Sequence, residues 1–269
     1  SEFEFRTLGR RIFGADFTLE STASPGEPNA DSSKSSGPAG TGQLELLEAP
    51  RFKTLSDIHH QYHHVNDEMG RRRLIDLLET KAAFCFDTET TGLNPRNADL
   101  LGLAIAFQPR EAWYIEFDRG RDTARKQLEE FRPIFENDRI TKIGHNLKYD
   151  LAVLKKYDVD VLGPFFDTML AHALVEPEQK HGMDILAETA LNYQTVHLDS
   201  LLDDGSGRTR KMEDIPPAQL AEYSAEDADI TFQLYEWISP LVREKEQESV
   251  FFEIESPLIP VLVDMEAAG

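Results

Sequence analysis

Asp87 and Glu89 stand two residues apart where the apolar run Phe84, Cys85, Phe86 ends, in the string FDTETTGL. Residues two apart in a strand share a face, so both carboxylates leave this strand in the same direction. Acids emerging from an apolar strand are costly unless water or a cation meets them, and the pair reads either as a solvated strand exit or as a cation site. A third acid, Asp150, lies in GHNLKYDLAVL, where a strand runs into a helix; Asn146 and Asp150, four apart, face one side of it while Leu147, Leu151 and Leu154 form its apolar stripe. Alone, an Asp early in a helix is more often a partner of the helix dipole than a ligand. A third string, YSAEDAD, puts Tyr223 and Asp227 one above the other on a helix, with Glu226 and Asp229 directed elsewhere, into solvent.

Taken together the set is three Asp, one Glu and one Tyr, with no His or Cys. Hard oxygen ligands suit magnesium or manganese rather than a softer zinc-type site. Four carboxylates gathered in one place repel one another strongly unless a cation is bound. Two divalent ions about 3.5–4 Å apart would neutralise them and clamp the attacking and leaving oxygens of a phosphoryl group. The chemistry so described is metal-assisted phosphodiester hydrolysis.

A sheet with flanking helices must position these groups. The patterning predicts a strand or turn at Tyr62–Val65, a helix over Met69–Thr80 and a buried strand from Ala82 to Thr88. Strands over 100–107 and 112–117, joined by QPRE, are expected to pair antiparallel, and a helix over Ala124–Glu136 precedes a strand at 140–146. Helices follow at Leu147–Tyr157, Thr168–Val175 and Met183–Leu191, and the longest runs from Pro217 to Ile238 with prolines suited to its first turn. This order is α/β. The last segment, FFEIESPLIPVLVDMEAAG, is apolar and expected to be broken by Pro257 and Pro260.

The 269 residues are 40% hydrophobic and 29% charged, as in a globular protein, and no window is apolar enough to span a membrane. The lone Cys85 excludes an internal disulfide and suits a reducing cytoplasm. A net charge of -21 should repel nucleic acid as a whole. Basic clusters at Arg71–Arg73, RGRDTARK (119–126) and GRTRK (207–211) read more readily as solvated faces than as phosphate contacts. The string HHQYHH lacks a third ligand nearby for zinc, and Trp113 and Trp237 read as core. Residues 21–42, rich in Ser, Gly, Pro and Ala, read as a flexible tether, and a start on Ser1 with an ending at DMEAAG suggests a piece of a larger protein.

The strings DTETTGL, NLKYD and YSAED resemble the three motifs of the DEDD exonucleases, in the subtype whose third motif is Tyr-x-x-x-Asp. Over residues 58–240 the chain is similar to the proofreading 3′→5′ exonuclease domain of family A bacterial DNA polymerases, with FDTMLAHAL, HGMDILAE and AEDADIT adding to the match. The resemblance implies a ribonuclease H-like mixed β-sheet of about five strands flanked by helices. It implies that Asp87, Glu89, Asp150 and Asp227 hold two Mg2+, with Mn2+ able to substitute, and that Tyr223 orients the attacking water. Thr90 and Leu93 would lie against the terminal nucleotide, and Asn146 would help to hold the strand. The implied substrate is a single-stranded or frayed 3′ end of DNA, with the polymerase domain of the same parent chain as partner, no membrane, and a bacterial cytoplasmic, nucleoid-associated setting.

On this resemblance residues 1–15 are the end of a 5′-nuclease-side segment, 16–50 the linker, 51–240 the exonuclease domain and 241–269 the start of the polymerase domain. The other readings are a catalytically silent scaffold of the polymerase and a ribonuclease D-like exonuclease that trims RNA. The charge balance carries a prediction for the chain on its own: it binds a single strand weakly, and the binding falls further as salt rises from about 50 to 200 mM. A filter-binding titration at several salt concentrations measures this, and tight salt-insensitive retention is the contrary result.

Overall fold

The computed structural model describes residues 52–203, 205 and 209–269; the expected segments 1–15 and 16–50, and part of the GRTRK string, lie outside them. Six strands, β1 (Gln61–Val65), β2 (Ala83–Thr90), β3 (Leu100–Gln108), β4 (Glu111–Glu116), β5 (Thr141–Gly144) and β6 (Phe165–Asp167), form one mixed sheet in the order β1-β4-β3-β2-β5-β6. β3 pairs antiparallel with β4, as its hairpin predicts, and also with β2, while β1 joins β4, and β5 and β6 extend β2, all in parallel. The sixth strand is three residues long, too short to carry a readable alternation, and the patterning did not include it. β3 is buried on both faces except at its last residue, which explains why LLGLAIAF is continuously apolar rather than alternating.

On one face of the sheet lie α1 (Glu68–Leu78), α2 (Arg121–Glu129), α3 (Arg132–Phe135) and α4 (Leu147–Lys156), packed through Leu74, Leu128, Phe135, Leu147 and Leu151 onto Phe84, Phe86 and Leu103. The other face carries α5 (Thr168–Val175) and the long helix α8 (Pro217–Glu244), with α6 (Met183–Leu191) packed behind α8 and α7 (Leu198–Leu202) beside it. Under α8 the sheet presents Cys85, Ala104, Ala106 and Ala112, and α8 answers with Ala225 and Ala228. Such small side chains let a helix lie close against five strands, β1 to β5.

The single helix expected over 124–136 is two. Pro133 has no N–H to offer the Glu129 carbonyl, so the chain restarts as α3. Arg71 is not a solvated cation but buried, and its guanidinium grips both oxygens of Glu130 at 2.9 Å. The HHQYHH string runs into β1, where a strand or turn was expected; His63 stacks on Trp113, and His64 meets Glu116 at 2.8 Å.

Near the end of the chain, helix is unbroken by its prolines. A π turn at Phe251–Glu255 leads into α9 (Ser256–Ala268), whose first turn accepts Pro257, and Pro260 removes only one further backbone bond. Ile259 and Val263 of α9 join the core beside α4, and Lys148 and Lys155 of α4 pair with Glu266 and Asp264. Among the described residues no helix is long and apolar enough to cross a membrane.

Gly102 lies opposite Glu89 in the β2/β3 pair, and a Cβ there would run into the Tyr114 ring. Gly102→Ala should therefore lower stability by about 1–3 kcal/mol, the usual consequence of overpacking, read as a fall in the urea midpoint at constant slope.

Candidate metal centre

β2 supplies two acids to one side and a threonine to the other. Its alternation puts Cys85, Asp87 and Glu89 on the α8 face and Phe84, Phe86 and Thr88 on the α4 face. At its end the register with β3 slips between Glu89 and Thr90, a bulge that re-aims the strand as it leaves the sheet. From α8, Asp227 turns toward the two acids, and one oxygen each from Asp87, Glu89 and Asp227 lie within 4.8 Å of one another.

Asp150 arrives from α4 and is caught by Thr88, whose N–H and hydroxyl both donate to Asp150 Oδ1, at 2.9 and 2.6 Å. On the other face the Ser224 hydroxyl donates to Glu89 Oε1 at 2.6 Å. Asp227 Oδ1 is buried without any hydrogen-bond partner. An orphaned carboxylate oxygen aimed among other acids fits a cation ligand and little else.

Electrostatics follow from burial and crowding. Burial pushes the Asp87 carboxyl up to about 6. Burial and then the Asp87 charge push Glu89 up to about 8, although the Ser224 hydrogen bond opposes this. Asp150 and Asp227 are raised well above the carboxylate range, first by burial and then by Asp87, with Glu89 adding to the effect on Asp227. Tyr223 is raised too, by burial and by the facing Asp227 and Glu89, so it keeps its proton at neutral pH. Neither Lys nor Arg is among the groups that shift these four acids, so crowding is relieved by retained protons or by a bound cation rather than by a basic side chain.

The five residues singled out for chemistry thus lie together, with Asp150 held at one remove from the tight group of three. Thr90 is buried, and its hydroxyl is shared between the Gly92 carbonyl, at 2.9 Å, and the Tyr149 hydroxyl, at 2.5 Å. Leu93 stands free on the following loop, 93% exposed. Asn146 precedes α4 in a left-handed conformation with an exposed side chain that caps nothing, not as a member of the helix.

Several functional neighbours had not been singled out. Thr88 and Ser224 sit inside the very strings that carry the acids, and their hydroxyls were the available signal. Asp167 caps two helices at once, accepting from Met169 and Leu170 of α5 and from Asn146 and Leu147 at the start of α4, and so fixes the helix that presents Asp150. Glu226 and Asp229 are not solvated. Glu226 is fully buried and takes the Tyr193 hydroxyl and the Val196 N–H, while Asp229 takes the Tyr62 hydroxyl, the Arg110 N–H and Gln233. They anchor α8 to the loop after α6 and to the sheet.

A family model described as 3′-5′ exonuclease matches residues 62–243. DNA polymerase I of Chloroflexus aurantiacus is 34% identical over 211 residues, which are 76% of this chain and 22% of that protein. DNA polymerase I of Borreliella burgdorferi is 29% identical over 232 residues, 82% of this chain and 25% of that protein. The chain therefore spans only about a quarter of the length of these curated relatives. Among solved structures, Brucella melitensis NrnC superposes with a TM-score of 0.62 at 23% identity, over 79% of this chain and 95% of that one. The catalytic core of RRP6 from Trypanosoma brucei gives 0.61 at 17%, over 80% and 55%. These likenesses establish a shared ribonuclease H-like fold. NrnC is also known with bound Mg2+ and bound to pGG.

The raised carboxyls make the metal-free protein sensitive to pH. Unfolded, these groups titrate near about 4; folded, Asp87 does so at about 6 and Glu89 at about 8. In this interval the folded state binds more protons, so the stability these groups contribute is present at low pH and lost as pH rises through 6 and 8. Thermal unfolding in chelator should show a melting temperature that falls between pH 5 and pH 8.5, and Asp227→Asn should flatten the decline; a melting temperature that rises across the interval is the contrary result.

Proposed function

This chain belongs to the 3′-5′ exonuclease family carried by DNA polymerase I, and from that premise we propose that it removes nucleotides from the 3′ end of DNA by hydrolysis that uses two Mg2+, for which Mn2+ can substitute. The observation that carries the reading is the approach of one oxygen each from Asp87, Glu89 and Asp227 to within 4.8 Å. Asp87, Glu89, Asp150 and Asp227 would hold the cations. When bound, the ions supply charge stabilisation to the attacking and leaving oxygens of the phosphodiester.

The chain's own residues do the rest. Tyr223, kept protonated by its acidic surroundings, donates a hydrogen bond that orients the attacking water. Leu93, exposed on its loop, wedges against the terminal base, and Thr90 holds the loop's start through Gly92 and Tyr149. Asn146 is exposed at the head of α4, where a bound strand can meet it. The oxygen of water forms a bond to the terminal phosphorus while the bond from phosphorus to the penultimate 3′ oxygen breaks, which releases a nucleoside 5′-monophosphate.

The relatives named DNA polymerase I support the reading that this activity belongs to a DNA polymerase; in our proposal it corrects misincorporation in replication and repair in a bacterial cytoplasm, at the nucleoid. We read 51–240 as the exonuclease domain, 241–269 as the lead into a polymerase domain, 16–50 as a linker and 1–15 as the end of a 5′-nuclease-side segment. With a net charge of -21, this chain leaves most of the DNA affinity to its polymerase partner, which passes a frayed 3′ end across.

The test is a 5′-labelled single strand incubated with Mg2+, with chelator, and with Asp87→Ala, alongside an RNA strand of matched sequence. A ladder shortening from the 3′ end is expected on DNA with Mg2+ alone. Asp87→Ala, through loss of several kcal/mol of charge stabilisation, should slow it more than about a hundredfold. No ladder with the unaltered chain would favour a scaffold, and preferential cutting of RNA a ribonuclease D-like trimming enzyme.

A further inference from the structure

Ser224 follows Tyr223 on α8 and is wholly buried against β2. A serine inside a helix ordinarily spends its single proton on the carbonyl one turn back, and Leu220 O lies at 2.8 Å from Ser224 Oγ. Glu89 Oε1 lies closer, at 2.6 Å. The single hydroxyl proton is divided between the two acceptors, and the carboxyl oxygen, at the shorter distance, takes the larger share.

Left to itself, Glu89 has every reason to leave. Asp87 and Asp227 repel it, and its side chain has three torsions through which to retreat. Tyr114, lying over Gly102, walls one side of it, but a wall fixes no oxygen. Ser224 does, and the arrangement has a counterpart: on the opposite face of β2, Thr88 fixes one oxygen of Asp150. Asp227 has the Tyr223 hydroxyl as its hydrogen-bonding neighbour on the same helix, while its Oδ1 has no partner.

We propose that Ser224 is a positioning residue of the metal centre: by donating to Glu89 Oε1 it holds that carboxylate in the cluster against the repulsion of its neighbours, leaving the second oxygen for the cation. The inference rests on the exonuclease reading above but concerns a residue to which that reading gives no role. It implies that the centre is preorganised by two hydroxyls, one from β2 and one from α8, so that little reorganisation accompanies metal binding.

The experiment measures Mn2+ binding by titration calorimetry, and unfolding by circular dichroism, for the unaltered chain, Ser224→Ala, Glu89→Gln and the double variant. Ser224→Ala should leave the metal-free fold intact and weaken Mn2+ binding roughly tenfold or more. With Glu89 already replaced, the same change should have no further effect, because Ser224 acts through that carboxylate. On single-stranded DNA, kcat of Ser224→Ala should fall while KM stays constant. Unchanged Mn2+ affinity in Ser224→Ala, or an equal loss in the Glu89→Gln background, overturns the proposal while leaving the exonuclease reading standing. Failure of the unaltered chain to bind Mn2+ and to cut DNA overturns both.

Discussion

Mutual repulsion among buried carboxylates is the constraint around which this protein is built. Asp87, Glu89 and Asp227 approach within 4.8 Å, with Asp150 close enough to feel Asp87, and among the described residues no basic side chain figures in the electrostatics of these acids. Nothing local to those residues favours such a gathering. Packing elsewhere enforces it. Two layers of helix clamp the sheet, and α8 lies across five strands on a bed of alanines, so Asp227 cannot move away without pulling Ala225 and Ala228 out of the core. The energy that collects the charges comes from apolar surface far from them.

A comparison among the buried acids separates structural carboxylates from chemical ones. Asp167 accepts four backbone N–H groups, Asp229 three donors and Glu226 two. Those acids are satisfied and serve to tie elements together, as burial of a polar group requires. The acids of the centre retain free oxygens: Glu89 and Asp150 each have one oxygen occupied by a hydroxyl neighbour, and Asp227 Oδ1 has nothing. Unused acceptor capacity in a dry site is destabilising unless a ligand takes it up, which is why it marks function.

The same distinction explains how helix placement becomes chemistry. Asp167 sets where α4 begins, and α4 then carries Asp150 to Thr88; Glu226 and Asp229 fix α8 on either side of Asp227, so that Tyr223 and Asp227 face β2. Positions one residue apart on α8 thus divide between anchoring the helix and lining the acidic cluster. Alternation in β2 makes a like division, with Thr88 turned to α4 and its two acidic neighbours turned to α8.

Much of this was legible in the chain itself. Period-two spacing placed Asp87 and Glu89 together, helical spacing placed Tyr223 over Asp227, and oxygen-only ligands indicated a hard cation, because each of these properties belongs to a short stretch of contiguous backbone. What spacing could not decide was the fate of polar residues whose partners lie far along the chain. Asp229 looked solvated, yet its partner Tyr62 stands 167 residues away on an edge strand. Arg71 read as a surface cation until Glu130 closed over it, and β6 was too short to show a period. Periodicity tells which way a side chain points from its own element; only the packing of elements decides whether water, another side chain or a neighbouring charge waits there.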